Sequence, residues 1–265
     1  MTINQTITAS KFNPDTVDRT AVALRMETEQ NTMELPVHIH NKGQLVLALQ
    51  GAVACKAAET IWMVPPQHAV WIPGRIPHSN RATANARIFF LFIDPTAVKM
   101  PETCCTLTIS PMVSEMIQYL AAEAPMYPEE GATARLVAVL LEQLVMASAT
   151  TLHLPISSHP KLRYIADTLI DDPADRRTLA QWAERLAMSE RTLARLIIRE
   201  TGLTFGKWRQ QLHLMIALHQ LAGDESVQRV AGNLGYDSVT AFITMFKKAL
   251  GKSPTQYFAS LCREQ

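Results

Sequence analysis

Short runs of apolar residues, separated by turn residues, dominate the chain between about residues 32 and 93. Four of these runs are rich in β-branched or aromatic side chains and are bounded by Gly, Pro or Asn, which is typical of strands. The predicted strands are Gln44–Leu49, Ile61–Val64, His68–Ile72 and Ile88–Ile93. This pattern predicts a small all-β barrel or jelly roll in the N-terminal part of the chain.

The pattern becomes helical after Pro111. The run Leu136–Ala147 is apolar nearly all round, so a helix formed by it must be buried on more than one side. Two arrangements achieve this: the helix lies in the core of its own domain, or it packs against a second copy of the chain. The run is therefore our candidate for dimerisation. Residues 150–160 contain Pro155, Ser157, Ser158 and Pro160, which is typical of a linker.

An internal repeat occupies the C-terminal third of the chain. Two stretches align at an offset of 48 residues, or 49 after a turn, and each predicts a short helix, a turn and a second helix. The matched pairs are Leu179 with Val227, Ala183 with Ala231, Leu186 with Leu234, Leu193 with Phe242, Leu196 with Met245, Ile197 with Phe246, and Gly202 with Gly251. The small side chains of Ala183 and Ala231 allow the two helices of each copy to cross closely, as a helix-turn-helix unit requires.

Local signals mark the ends of these predicted helices. Thr178 and Gln181 have the spacing of a capping box, in which the two side chains satisfy free backbone N–H groups. Ser189 and Ser226 are candidate N-caps, and Gly202 and Gly251 stand where a left-handed C-terminal cap is expected.

A further helix is predicted between the two copies. Trp208, Leu212, Met215 and His219 fall at helical spacing. About 17 residues at ~1.5 Å each span roughly 26 Å. Such a helix is suited to placing two second helices in successive major grooves, which lie roughly 34 Å apart on one face of DNA.

The charge of the chain is nearly balanced, with 25 basic and 24 acidic side chains and a net charge of +1. That balance at first argues against a nucleic-acid partner, but it averages over domains. Residues 1–159 hold 10 basic and 13 acidic side chains, a net of −3, whereas residues 160–265 hold 15 and 11, a net of +4. The positive net charge of residues 160–265 is therefore compatible with a nucleic-acid partner for the C-terminal region.

Other classes of protein are excluded by composition and spacing. No apolar run approaches the ~18 residues that a membrane span needs, and the start of the chain lacks the pattern of a secretory signal. Cys55, Cys104, Cys105 and Cys262 show no zinc-type spacing and are too few for a disulfide scaffold. We therefore expect a cytoplasmic protein with reduced thiols and no membrane partner.

Basic side chains concentrate on the second helix of each copy. Arg191 and Arg195 are four residues apart and share a helix face, where arginine suits bidentate contact with guanine. Arg199, Lys207 and Arg209 follow in copy one, and Lys247, Lys248 and Lys252 lie near the end of copy two. The three lysines of copy two suit phosphate contacts better than base reading. The alternative is a solvated charged face on a helical bundle; the duplicated helix-turn-helix favours DNA.

These residues resemble the AraC/XylS family of bacterial transcription regulators over about Pro160–Phe258. The most specific motifs are Ala231–Asp237, Phe246–Lys248 and Gly251–Tyr257 in copy two, with Met188–Leu196 and Arg199–Gly202 in copy one. The resemblance implies sequence-specific promoter binding, with Arg191, Ala194 and Arg195 facing bases in copy one. In copy two it implies base contacts by Val239, Thr240, Ile243 and Thr244. Thr244 departs from the family, where arginine is common, which argues against strong direct readout by copy two.

The N-terminal half contains a group of histidines. His38, His40 and Gln44 have even numbers within one strand-like run, so we expect them on one face, and His78 follows a predicted turn. The spacing of the first three, followed by Gly51, resembles the first cupin motif, and Pro73-Gly74 with His78 partly resembles the second. Gln44 stands where cupins usually have glutamate. The resemblance implies a cupin-like β-barrel over about residues 30–95.

Two interpretations of this group remain open. Three histidines and the oxygen of Gln44 are a workable set of ligands for a divalent metal, with His38, His40, Gln44 and His78 as candidates. Alternatively, these residues bond one another or a small-molecule effector in a barrel that binds no metal, because a carboxylate ligand is missing. The aromatic residues Trp62, Trp71, Phe90 and Phe92 are candidates for the pocket lining or for ordinary core.

The expected protein is a two-domain α+β transcription regulator that is not an enzyme and needs no cofactor. Residues 1–100 form a cupin-like effector-sensing barrel, residues 101–159 a helical dimerisation segment and linker, and residues 160–265 an all-α domain with two helix-turn-helix units. A small-molecule effector shifts the population between arrangements of the halves in a homodimer, which changes binding to promoter DNA or contact with RNA polymerase. The alternatives are a metal-dependent cupin enzyme fused to a DNA-binding module, and an architectural DNA binder without an effector.

Overall fold

The computed structural model divides the chain into two units. The N-terminal unit is Met1–Ala58 with Trp62–Leu152, and the C-terminal unit is His153–Gln265 with Glu59–Ile61. The structure describes residues 12–28, 33–50, 53–57, 60–64, 68–82, 86–150, 153–155, 157, 159–223 and 225–262. The predicted two-part α+β organisation, with a sheet-rich unit followed by a helical one, is confirmed.

Antiparallel sheets form the N-terminal unit after a short 3-10 helix at Pro14–Thr16. The strands are β1 (Ala21–Glu27), β2 (Met33–His38), β3 (Gly43–Gln50), β4 (Val53–Ala57), β5 (Thr60–Val64), β6 (His68–Ile72), β7 (His78–Ala82), β8 (Arg87–Ile93), β9 (Cys105–Thr108) and β10 (Ala149–Thr150). One sheet has the order β1-β8-β3-β6-β9-β10, and the strands β5-β4-β7-β2 adjoin in the other. The four predicted strands are confirmed within β3, β5, β6 and β8.

The six-stranded sheet is covered on both faces, because alternate residues of its strands enter two different cores. On β3, Leu45 and Leu47 lie in the core that also contains the helices α1 (Pro111–Ala122) and α2 (Ala132–Val145). Val46 and Ala48 lie in the core that the two sheets share. Burial on both faces explains why β3 reads as an unbroken apolar run.

The apolar helix α2 is covered on one face by its own unit. Its buried residues are Val137, Leu140, Leu141 and Leu144. Val139 and Val145 remain 41% and 48% exposed. The sequence predicted burial on more than one side of this helix, but within this chain only one side is buried.

The C-terminal unit consists of helices that follow a short strand. The elements are β11 (His153–Pro155), α3 (Pro160–Asp171), α4 (Leu179–Arg185), α5 (Glu190–Thr201), α6 (Phe205–Ala222), α7 (Val227–Asn233), α8 (Val239–Leu250) and α9 (Pro254–Cys262). The predicted linker thus contains β11, while residues 151, 152, 156 and 158 lie outside the described residues. The pairs α4–α5 and α7–α8 are the two predicted helix-turn-helix units.

The predicted helix caps are confirmed. The Thr178 hydroxyl accepts a hydrogen bond from the Gln181 backbone N–H at 3.3 Å, and the Gln181 side chain accepts one from the Thr178 N–H at 2.8 Å. Ser189 and Ser226 cap α5 and α7. Gly202 and Gly251 end α5 and α8 in the left-handed conformation, with φ of 71° and 77°.

Buried side chains hold each helix-turn-helix unit together. Ala183 and Ala231 are each 2% exposed, as the close crossing of the helices requires. The turn of copy two depends on Gly235, which has a φ of 71°. A Cβ added at this position would lie 3.0 Å from Ala174. Within the part of the chain that the structure describes, none of the helices is both long and apolar enough to cross a membrane.

Candidate nucleic-acid interface and histidine cluster

The second helix of copy one, α5, has an apolar inner face and a basic outer face. Leu193, Leu196 and Ile197 are buried. Arg191 and Arg195 are exposed, and Ala194 between them is half-buried. Neither arginine forms an ion pair with a residue that the structure describes. The two guanidinium groups are therefore available to a partner from one exposed face of the helix.

Arg199 has a different environment near the end of α5. Its Nε and Nη2 donate to Oε1 of Glu200 at 2.9 and 2.8 Å. These hydrogen bonds, together with one from the Ser157 hydroxyl, hold the pKa of Glu200 below its ordinary value. Arg199 is exposed but already paired with a carboxylate, so its position suits a peripheral phosphate contact better than a base contact.

The outer face of α8 in copy two carries few charges. Thr240 and Thr244 are exposed, and Val239 and Ile243 are half-buried. The Thr244 hydroxyl donates to the Thr240 carbonyl oxygen at 2.8 Å. Lys247 and Lys248 are exposed in the last turn. The repeat offset of 49 places Thr240 and Thr244 where copy one has Arg191 and Arg195. The helix that joins the two copies, α6, has 18 residues and is therefore roughly 27 Å long.

The histidines of the N-terminal unit come together from separate elements. His38 ends β2 and is paired in register with His78 at the start of β7. His40 lies in the connection that leads to β3, and Gln44 lies on β3 itself. The expectation that His38, His40 and Gln44 share one strand is therefore wrong, because the chain changes sheet between them. The four residues nevertheless converge, and we call His38, His40 and His78 the histidine cluster.

The rings of the histidine cluster are in close contact. The centroid of the His78 ring lies 4.3 Å from that of His38 and 5.0 Å from that of His40. Their ligating nitrogens lie within 4.8 Å of one another. Gln44 Oε1 lies 2.9 Å from Nε2 of His40 and 2.7 Å from Nε2 of His78. Burial lowers the pKa of His78 to about 4, with an opposing hydrogen bond to the Ile76 backbone, so this ring is neutral at pH 7.

Hydrogen bonds to the Asp15 carboxylate hold the connection that carries His40 in place. Asp15 accepts hydrogen bonds from the backbone N–H groups of Asn41 and Lys42 at 2.8 and 3.1 Å. The buried Lys42 ammonium donates to the Arg19 carbonyl oxygen at 2.6 Å. These bonds hold the connection that carries His40 against the 3-10 helix and the residues that follow it.

The aromatic candidates divide between the two cores. Trp62, Phe90 and Phe92 lie in the core between the sheets, and the Phe92 ring packs edge-on against His40 at 5.2 Å between centroids. Trp71 lies in the other core, where its Nε1 donates to the Pro101 carbonyl oxygen. Of the two alternatives for Trp71, the structure therefore supports ordinary core, because strand alternation turns its side chain to the opposite face of its sheet.

Asn80 is a buried polar residue near His78 on β7 that was not among the predicted site residues. It is 2% exposed, and its amide has no hydrogen-bond partner among the residues that the structure describes. It lies two residues after His78 on β7, so the two side chains share the inner face of the strand. No local pattern marked it, because residues 78–81 of β7 are all polar and show no alternation of apolar and polar side chains.

Two helix-turn-helix units, with exposed basic side chains on α5 and in the last turn of α8, define the class of the protein as a DNA-binding transcription regulator. Residues 182–260 match the family described as "Helix-turn-helix domain". The chain is 52% identical over 250 residues to the HTH-type transcriptional regulator NimR of Escherichia coli, covering 94% of this chain and 92% of NimR. The chain belongs to the AraC/XylS family of bacterial transcription regulators.

Other similarities have lower sequence identity. The chain is 30% identical over 144 residues to the arabinose operon regulatory protein of Escherichia coli, which covers 51% of this chain and 48% of that protein. The solved structure of ToxT from Vibrio cholerae aligns with 91% of this chain and 97% of its own, at 12% identity and a TM-score of 0.40.

Proposed function

We propose that this regulator recognises its promoter chiefly through α5. Arg191 and Arg195 contact guanine edges in the major groove, and Ala194 lies against the bases between them. The observation that supports this assignment is the unpaired, exposed position of the two arginines on the face opposite the buried residues of the helix. Arginine without an internal carboxylate partner loses no ion pair when it binds DNA.

Copy two contributes a different kind of contact. Val239, Thr240, Ile243 and Thr244 offer methyl groups and hydroxyls, which fit thymine methyls and carry little charge. Lys247 and Lys248, with Arg199 of copy one, contact phosphates and position the helices without reading sequence. The promoter site is therefore expected to have a guanine-containing half for α5 and a thymine-containing half for α8.

The N-terminal unit binds the small-molecule effector in this proposal. The candidate effector site consists of His38, His40, Gln44 and His78, with Trp62 and Phe92 in the adjoining core. Effector binding shifts the population between states with different affinity for the promoter, which changes access or contact of RNA polymerase. The regulator acts as a homodimer, for which the exposed apolar residues Val139 and Val145 of α2 are the candidate contact.

Selection of bound duplexes from a random-sequence DNA library tests the proposal. The purified full-length protein is expected to enrich one sequence motif with two conserved parts, spaced by about one turn of the double helix. Repeating the binding at several salt concentrations separates sequence-specific binding from phosphate-driven binding, which is lost steeply as salt rises. Enrichment of no sequence over the starting library would contradict the proposal and favour an architectural DNA binder.

A further inference from the structure

We propose that Ile198 is a further specificity-determining residue of α5, and that it recognises the 5-methyl group of a thymine. This inference rests on the proposed function, because it takes α5 as the helix that lies in the major groove. It adds an apolar base contact to the arginine contacts of copy one. Two features of Ile198 support it: its place on the outer face of α5, and the residue that copy two has at the equivalent position.

Ile198 is an exposed residue on a helix whose other large apolar residues are buried. It is 48% exposed, whereas Leu193, Leu196 and Ile197 of the same helix face the core of the unit. Single exposed apolar side chains are common on protein surfaces, so exposure alone assigns no role to Ile198. Its position among the basic residues of α5 is what points to a partner.

Ile198 lies within the helix face that Arg191 and Arg195 occupy. It is three residues after Arg195, four after Ala194 and seven after Arg191, and each of these spacings returns to nearly the same side of an α-helix. Side chains of a helix point back towards its N-terminus, so Ile198 extends over Ala194, whose small side chain leaves room for it. Ala194 and Ile198 thus form an apolar strip beside the two arginines.

Copy two has a lysine where copy one has Ile198. The repeat offset of 49 pairs Ile198 with Lys247, as it pairs Arg195 with Thr244. Lys247 is exposed, and its ammonium group can contact a phosphate whatever the base sequence. The aliphatic side chain of Ile198 cannot bond a phosphate, so the same position in copy one gains only from an apolar partner. The copies therefore exchange the two kinds of contact: arginines precede an isoleucine in α5, and threonines precede a lysine in α8.

The 5-methyl group of thymine is the apolar group that the major groove offers to Ile198. The other bases present hydrogen-bond donors and acceptors there, and isoleucine can pair with neither. Ile198 therefore favours thymine by burying its methyl group, and it disfavours other bases by leaving their polar edges without water or a partner. Arg195 and Ile198 are roughly 4.5 Å apart along the helix axis, so we expect a conserved thymine within one or two base pairs of the guanine that Arg195 contacts.

Removal of one methyl group from the DNA tests this contact on the full-length protein. Each conserved thymine in the α5 half of the selected duplex is replaced in turn by uracil, which lacks the 5-methyl group but keeps the hydrogen-bonding groups. One replacement should weaken binding of the wild type roughly fourfold, the factor that corresponds to burial of one methylene-sized group. The same replacement should leave binding of Ile198→Ala unchanged. Ile170→Ala, which truncates a 37% exposed isoleucine on α3, is the matched control and should respond to uracil as the wild type does.

A second variant tests the same position with a side chain of similar length and different chemistry. Ile198→Lys gives copy one the residue that copy two has at this position, and lysine is well tolerated on an exposed helix face. This variant should also lose the response to uracil, because its ammonium group gains nothing from a methyl group. The thymine contact is overturned if no uracil replacement weakens binding of the wild type. It is equally overturned if Ile198→Ala or Ile198→Lys keeps the wild-type response.

Binding of Arg195→Ala to the same duplexes separates this inference from the proposed function. If Arg195→Ala loses equal affinity on the selected duplex and on a shuffled duplex, α5 does not read the promoter, and both proposals fail. If Arg195→Ala loses more on the selected duplex while Ile198→Ala keeps the response to uracil, promoter reading by α5 stands and the thymine contact alone is wrong.

Discussion

Arg195 and Thr244 occupy the same position in the two helix-turn-helix copies, 49 residues apart, and both side chains are exposed on the outer face of their helices. Each stands two residues before a buried side chain of the inner face, Ile197 in α5 and Phe246 in α8. The two copies therefore present different chemistry from equivalent positions. Arg195 presents a guanidinium group, whereas Thr244 presents a hydroxyl that donates a hydrogen bond to a backbone carbonyl oxygen of its own helix.

This difference predicts that base reading can be added to copy two. Thr244→Arg places a guanidinium group where copy one has Arg195. In a selection from random duplexes, the variant should gain a guanine preference in the α8 half of the site, with roughly 1–3 kcal/mol of discrimination at that position. Thr240→Ser, which adds no charge on the same face, is the control. A Thr244→Arg motif identical to that of the wild type would show that position 244 does not face the bases.

Lys248 is predicted to contribute affinity without specificity. Lys248→Ala removes one exposed cation near the end of α8. Binding to all duplex sequences should weaken alike, and the slope of log K against log salt should fall by about 1, as for one lost phosphate contact. Titrations at four salt concentrations measure the slope. Unequal losses on selected and shuffled duplexes would instead assign Lys248 a role in base reading.

The turn of copy two should be sensitive to a single methyl group. Gly235→Ala forces a side chain into a left-handed backbone with φ of 71° and brings its Cβ to 3.0 Å from Ala174. We expect a loss of about 1–3 kcal/mol in the free energy of unfolding, measured with urea. Gly232→Ala is the matched control, since its Cβ meets nothing within 4 Å and it lies in α7. That variant should be unchanged or up to about 1 kcal/mol more stable. Equal effects of the two variants would contradict the steric argument.

Acid should destabilise the C-terminal unit through His213. Burial, helped by the charge of Arg209, lowers the pKa of His213 from its ordinary 6.5 to about 4, against an opposing hydrogen bond to the Pro173 backbone. The pKa is lower in the folded state, so the contribution to stability is complete above pH 6.5 and is lost as the pH falls towards 4. The full loss is about 3 kcal/mol. Urea unfolding of His213→Gln should depend less on pH in this window than that of the wild type; parallel pH profiles would contradict the assignment.

The helices of the C-terminal unit could be predicted from the sequence because the signals that mark their ends are local. Each helix has its own cap, period and terminal glycine, as Thr178, Ser189 and Gly202 illustrate. The structure placed these signals where the sequence predicted them. Tertiary packing was not needed to find the two helix-turn-helix units.

The strands and the histidine cluster of the N-terminal unit could be predicted only in part, because the cluster depends on pairing between strands that are distant in sequence. Strands with unbroken apolar runs, such as β3 and β8, were predicted. The strand β7 was missed because its inner face carries the polar residues His78 and Asn80. The convergence of His38 with His78 follows from the pairing of β2 with β7, which no local pattern encodes.

Base reading by Arg195 is the central step in the proposed promoter recognition, and its loss can be measured. Binding of the wild type and of Arg195→Ala is compared on the selected duplex and on a shuffled duplex of the same composition. We predict that the variant loses roughly 1–3 kcal/mol on the selected duplex, loses less on the shuffled one, and accepts other bases at the contacted position. Equal losses on the two duplexes would contradict the assignment of α5 as the helix that reads the promoter.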